Sequence, residues 1–221
     1  MSAAVLHQEF ASVLGGHLDW QSRPAPERVR SGISEVDAAT GGLPRGCLTE
    51  IYGPASSGRT SLLVSILAEA TARDEVCALV DAEDAFDPTS AAAAGVRLER
   101  LLWVRPAHNA EQALKAADLL IQGGGFGLVA MDLGDTRPET ARRISLTSWF
   151  RLRRAVENTP TVLVTVARQS NARTCASLML ECKRERIRWS GETRLLRAIE
   201  VRVASSHRSK ACSPVFTAKA I

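Results

Sequence analysis

The segment Gly53-Pro-Ala-Ser-Ser-Gly58-Arg59-Thr60 sets two glycines apart by four residues and ends in a hydroxyl, the spacing of a loop that holds phosphate groups. Such a loop works through its backbone. Small residues let successive N–H groups point inward, and the positive end of the following helix adds to them. Ala55, Ser56, Ser57 and Gly58 meet that demand, and Gly53, Arg59, Thr60 and Ser61 complete the candidate set. Thr60 stands where a hydroxyl would reach Mg2+. Arg59 stands where the pattern has lysine. A lysine ammonium is a compact charge that follows the charge moving during phosphoryl transfer. A guanidinium keeps the charge but is longer, planar and forked. The expectation is a site that binds nucleotide phosphates and turns them over weakly or not at all. The same eight residues also suit a Gly/Ser-rich turn that binds nothing.

Phosphoryl chemistry beside such a loop needs acids. Asp132 closes the apolar run 126–132 and is placed to act on Mg2+ with Thr60. Glu83 follows the run 76–82 and is placed to orient an attacking water, so Glu83 and Arg59 are the candidate catalytic pair. For each acid the plain alternative is a strand-end carboxylate in a solvated loop.

These side chains need a frame that brings several strand ends together. The sequence alternates accordingly. Strands are expected at 48–52, 76–82, 101–104, 126–132 and 161–167, and helices at 58–72, 88–95, 109–122 and 139–157. Two of the strand runs are continuously apolar and end in acid, as buried parallel strands do. Strand-helix alternation implies an α/β fold with a mostly parallel sheet, right-handed crossovers and helices on both faces. The tail differs. LMLECKRERIRW and RLLRAIEVRVASS mix apolar and basic residues near period two around SGET, which predicts a C-terminal antiparallel hairpin. Ahead of the body, residues 3–14 carry Val5, Leu6, Phe10, Val13 and Leu14 on one helical face, and QSRPAPERVR reads as a linker. The division is an N-terminal arm and linker, 1–30, and a nucleotide-binding core, 31–221.

The chain has 221 residues, 45% hydrophobic and 24% charged, enough for one domain with a substantial core. No apolar run reaches the length of a membrane span, and the N-terminus lacks a basic head with an apolar signal core, so the cytoplasm is the expected location and no membrane partner is expected. Five cysteines without a CxxC pair read as reduced thiols, mostly small core residues. The net charge of +4 is uneven: eleven Lys/Arg against four Asp/Glu lie between Arg168 and Lys210. That stretch is either a solvated basic face or a surface for a polyanion such as single-stranded DNA, with Arg168, Arg173, Arg184, Arg186 and Arg188 as the candidates. Trp103, Trp149 and Trp189 are core or base-stacking residues, core being the ordinary case in an apolar run.

Two longer segments resemble a known family. GGLPRGCLTEIYGPASSGRTS is similar to the approach to the nucleotide loop of RecA recombinases, and DAEDAFDP is similar to their catalytic-glutamate segment. The resemblance runs from Ser31 to Thr217. It implies a RecA-like core that binds ATP with Mg2+. Gly53, Ser56, Ser57, Gly58, Arg59, Thr60 and Ser61 would form the phosphate loop. Glu83 would activate water, Asp87 would lie near the adenine, and Asp132 would be the second metal-site acid. RSKACSP resembles the family's cationic finger, which would set Arg208 and Lys210 across a subunit interface; two exposed tail charges are the alternative. Three departures bear on activity. Arg59 replaces the lysine. Where the family has a phosphate-sensing Asn-Gln pair, Ala167-Arg168 stands in register and Gln169 falls one place late. The segments that would carry DNA-binding loops, DTRPETARR and SNARTCAS, are short.

This combination resembles the ImuA group of RecA-like accessory proteins. That likeness implies a role in the bacterial DNA-damage (SOS) response and translesion synthesis, at the nucleoid. The partners would be a RecA-family protein or another copy through the N-terminal arm, together with translesion polymerase components. Two other readings stand beside it: a DNA-dependent ATPase acting as a short recombinase paralogue, and a nucleotide-independent interaction module.

Overall fold

A computed structural model describes residues 25–190, 195–205 and 213–219. Its centre is an eight-stranded mixed sheet. In chain order the strands are β3 (Cys47–Tyr52), β4 (Cys77–Asp81), β5 (Leu101–Val104), β6 (Leu128–Leu133), β7 (Val162–Ala167), β8 (Leu178–Trp189), β9 (Leu196–Ser205) and β10 (Val215–Lys219). Their order across the sheet is β10-β9-β8-β3-β7-β6-β4-β5. From β8 to β5 every pairing is parallel, while β9 and β10 add antiparallel strands at the other side. A small ribbon, β1 (Arg28–Val29) with β2 (Leu43–Pro44), precedes the sheet. It draws Arg28 and Val29 out of the segment that reads as linker. The helix expected at residues 3–14 lies outside the described residues.

Burial explains the strand composition. All five residues of β4 and all six of β7 are buried, because helices cover both faces of the sheet. On one face pack α1 (Ser34–Thr40), through Val36, and α2 (Arg59–Ala72), through Leu62, Leu63, Ile66 and Leu67; they meet Ile51, Leu79 and Val164. On the other face pack α4 (Ala110–Gly123), through Ala113, Leu114, Ala117 and Ile121, and α6 (Leu146–Val156), through Trp149, Leu152 and Val156. Each large side chain so buried contributes roughly 1.5–3 kcal/mol. Trp149 is therefore core. Cys77, Cys175 and Cys182 are buried free thiols and Cys47 is half-buried, as expected of small core residues.

The fold is the expected α/β type with a mostly parallel sheet. Two local differences stand out. The single helix expected over 139–157 is two helices, α5 (Pro138–Ala141) and α6. Ser145 breaks it: its backbone is extended and its hydroxyl accepts the Ser148 N–H, so it starts a new helix. The third antiparallel strand, β10, follows the hairpin and pairs Val215–Lys219 with Ala198–Arg202. The short α3 (Pro88–Ala93) is started by Asp87, whose carboxylate accepts from Thr89 and Ser90 N–H. No helix among the described residues is long and apolar enough to cross a membrane.

Candidate phosphate-binding site

The loop lies where the theory of open α/β sheets puts a ligand, outside the carboxyl ends of parallel strands. It leaves β3 at Tyr52, and its first N–H, from Gly53, donates to the Ala167 carbonyl at the end of β7. Two residues turn the chain left-handed, Ser56 (φ 55°) and Gly58 (φ 88°), and α2 begins at Arg59. The two glycines are required by neighbours as well. A Cβ on Gly53 would lie 2.2 Å from the Cys182 carbonyl oxygen, and one on Gly58 2.4 Å from Val201 Cγ2. The antiparallel strands β8 and β9 thus pack directly beneath the loop. Ser57 is 1% exposed, and its hydroxyl has no hydrogen-bond partner among the described residues. An orphaned buried hydroxyl inside a ring of small residues at a helix start suits phosphate oxygens.

Arg59 does not extend outward. It is 5% exposed, and its guanidinium donates to the Gly134 carbonyl at 3.2 Å. Burial lowers its pKa, opposed by the nearby Asp132 and Asp135 carboxylates. Asp132, near the end of β6, accepts the Gly134 N–H at 2.7 Å. Burial raises its pKa to about 6; the Gly134 N–H and Arg59 oppose that shift, and Asp81 and Asp135 add to it. Asp81 ends the neighbouring strand β4 and accepts from Phe86 N–H (2.9 Å) and Trp103 Nε1 (3.3 Å). Thr60 is exposed at the helix start, and Thr60, Ser61, Arg59 and Asp132 line one cavity of about 920 Å3. A hydroxyl and a carboxylate are the hard oxygen donors Mg2+ takes, usually alongside phosphate oxygens and water. The residues present therefore fit a Mg2+–nucleotide. The same cavity runs past Phe86, Asp87 and Ser90, so it brings Asp87 to the phosphate loop's side of the molecule.

Glu83 sits just beyond β4, and both its oxygens are engaged. Thr136 Oγ1 donates to Oε1 at 2.8 Å, and His108 Nδ1 lies 3.3 Å from Oε2. Thr136 is 1% exposed, and His108 adopts a left-handed backbone (φ 58°) directly after Ala107 (φ 50°). Loops after β6 and β5 thus clamp the carboxylate from either side. Neither partner is marked by a motif, so nothing in the spacing pointed to them. Glu50 in β3 is another organising residue that the sequence did not reveal. It is fully buried, and its carboxylate accepts Asn171 N–H (2.6 Å), Ala172 N–H (2.8 Å) and Ser170 Oγ (2.7 Å), pinning the turn after β7.

A family model, the RecA N-terminal domain, matches residues 13–138, more than half of the chain. The chain belongs to the RecA N-terminal domain family. Among its relatives, Protein RecA of Ectopseudomonas oleovorans is 46% identical over 98 residues, covering 44% of this chain and 28% of that protein. Protein RecA of Chloroflexus aurantiacus is 35% identical over 159 residues, covering 65% of this chain and 45% of that protein. Protein RecA of Deinococcus radiodurans is 44% identical over 106 residues, covering 47% and 29%. The chain spans less than half the length of each of these relatives.

Beyond the matched segment, this RecA-family chain shows its own features. The side-chain oxygen of Gln169 accepts from Arg142. Arg168 instead reaches the site: its Nε donates to the Gly134 carbonyl at 3.1 Å, and its guanidinium lies 3.5 Å from Asp135. The other basic candidates are dispersed. Arg173 is exposed in a 3-10 turn after β7. Arg184, Arg186 and Arg188 are exposed on β8, but Arg186 and Arg188 both pair with Glu200 across the hairpin, and Arg202 pairs with Glu185 at 2.5 Å. Arg186 and Arg188 thus share one carboxylate within the ribbon, while the excess of basic over acidic residues in the stretch remains. Trp189 is 57% exposed near the ribbon's tip, whereas Trp103 packs edge-on to Phe86 beneath Arg105. Arg208 and Lys210 lie outside the described residues.

Proposed function

We propose that this chain is a RecA-like DNA-repair protein that binds ATP with Mg2+ and hydrolyses it weakly or not at all, as an accessory of the ImuA type in translesion synthesis. The observation that carries this reading is Arg59. The cradle of backbone N–H groups, Ser57 and Thr60 suits phosphates, while the side chain that would follow charge during transfer is folded back onto a backbone carbonyl. Gly53, Ser56, Ser57, Gly58, Arg59 and Ser61 would hold the phosphates. Thr60 and Asp132 would hold Mg2+, which when bound neutralises phosphate charge. Asp87 would face the base. Glu83, held by Thr136 and His108, would orient the attacking water, beside a loop without its lysine.

Nucleotide would then act as a regulator of assembly, with a RecA-family protein, with another copy of the chain, or with translesion polymerase components, in the bacterial cytoplasm at the nucleoid. Arg208 and Lys210 would act across such an interface. Arg184 and Arg173 are the better candidates for contact with single-stranded DNA, because Arg186 and Arg188 already have carboxylate partners.

The test is ATP binding and hydrolysis by wild type and Arg59→Lys, with and without single-stranded DNA. Wild type is expected to bind ATP and turn it over at or near background, and Arg59→Lys to raise turnover at least tenfold. Turnover by wild type that DNA stimulates would favour the recombinase-paralogue reading instead. No nucleotide binding at all would leave the interaction module.

A further inference from the structure

Gly134 joins a cation to an acid. Its carbonyl accepts from Arg59 Nη1 at 3.2 Å, and its N–H donates to Asp132 Oδ1 at 2.7 Å. The two side chains flank one small space: a Cβ on Gly134 would lie 2.8 Å from Asp132 Oδ1, 3.6 Å from Arg59 Nη1 and 3.8 Å from Arg59 Cζ. The Arg59 guanidinium thus rests, 5% exposed, beside the acid that a metal ion would need. A second cation reaches the same carbonyl. Arg168 Nε donates to it at 3.1 Å, and the Arg168 guanidinium lies 3.5 Å from Asp135. Asp81, the other acid near Asp132, already accepts from Phe86 N–H and Trp103 Nε1. Two guanidiniums therefore stand among Asp132 and Asp135 before any metal enters. Mg2+ at a nucleotide site neutralises phosphate charge and is shared with a carboxylate. Here a dication approaching Asp132 meets two like charges, and at separations of about 4–6 Å such repulsion is still strong inside a partly buried site.

We propose that this site binds nucleotide without requiring a divalent cation: Arg59 and Arg168 supply, from within the chain, the positive charge at Asp132 and Asp135 that Mg2+ would otherwise bring. The proposal rests on the nucleotide reading above and narrows it, making Mg2+ at Thr60 and Asp132 dispensable for binding. The phosphates themselves are held by the loop's N–H groups and the positive end of α2, neither of which needs a metal. One role then accounts for two departures from the family pattern that lie far apart in the chain, the arginine in the loop and the cation after β7.

The experiment is calorimetric titration of the full chain with a non-hydrolysable ATP analogue, once in Mg2+ and once in EDTA. The proteins are wild type, Arg59→Lys, Arg168→Gln and, as an exposed control in the segment after β7, Arg173→Ala. Wild type and Arg173→Ala are expected to bind at least as well in EDTA as in Mg2+, to within about threefold. Arg168→Gln removes one cation and keeps a donor for Gly134. Arg59→Lys keeps the loop's charge on a shorter stem, drawn back from Gly134. Each of these two should bind at least about tenfold more weakly in EDTA than in Mg2+. A need for Mg2+ of about tenfold or more in wild type overturns this proposal and leaves the nucleotide reading standing. So do variants as indifferent to the metal as wild type, or an equal loss of binding in both buffers, which would make the two arginines merely structural. No binding by wild type in either buffer overturns the nucleotide reading and this proposal together.

Discussion

Gly58→Ala probes the packing of the antiparallel strands beneath the candidate phosphate loop. Gly58 has φ 88°, and its new Cβ would lie 2.4 Å from Val201 Cγ2 and 3.1 Å from Cγ1. An alanine in the left-handed region costs roughly 1–2 kcal/mol, and an extra carbon forced into a packed interior costs roughly 1–3 kcal/mol more. The single substitution should therefore destabilise by about 2–5 kcal/mol. Val201 is fully buried, so Val201→Ala alone should cost roughly 1.5–3 kcal/mol in lost transfer energy and cavity. Val201→Ala also removes the atoms that Gly58→Ala strikes, leaving the backbone strain but relieving the clash. The double variant should be less destabilised than the sum of the singles by about 1–3 kcal/mol. Urea unfolding followed through the fluorescence of buried Trp149 and by circular dichroism gives the four free energies. Additivity to within about 0.5 kcal/mol would refute the contact between the loop and β9.

Two further outcomes follow from buried carboxylates. Burial raises the Asp132 pKa to about 6, above its ordinary 3.8. The nucleotide-free protein should therefore hold this group's stability fully below pH ~4 and lose it as pH rises through ~6. Asp132→Asn cannot ionise, so it should be the more stable protein at pH 7.5, by at most about 3 kcal/mol, with the gap closing toward pH 4; an unchanging gap across a pH series of thermal melts would refute it. Glu50→Ala strands one buried and one half-buried N–H group and a hydroxyl. It should cost about 3 kcal/mol and lower Tm by roughly 10 °C, and a Tm within two degrees of wild type, by differential scanning fluorimetry, would refute the assigned role.

The parts of this protein that were legible in its sequence are those specified by near neighbours. Eight consecutive residues carry the candidate phosphate loop, because a cradle of backbone N–H groups needs only glycines and small residues in order. Two continuously apolar runs announce strands covered on both faces, and acids at their ends place Asp132 and Glu83 at the carboxyl edge. The helix break at Ser145 was not legible, since apolar spacing runs across it and only the cap hydrogen bond to Ser148 shows the restart. The basic stretch misled in part, because charge counts ignore register. Arg186 stands opposite Glu200 only because a bulge between Arg184 and Arg186 shifts the pairing.

By itself, then, the sequence determined the fold class, the family segments, the position of the loop and the replacement of lysine by Arg59. All of these are local in the chain or periodic along it. Tertiary structure alone decided that Arg59 and Arg168 share one carbonyl, that Thr136 and His108 clamp Glu83, and that Val201 closes against Gly58. Each of these joins residues tens of positions apart. They meet because the parallel crossovers deliver separate strand ends to one edge of the sheet, where side-chain direction is set by packing and burial rather than by neighbours in the chain.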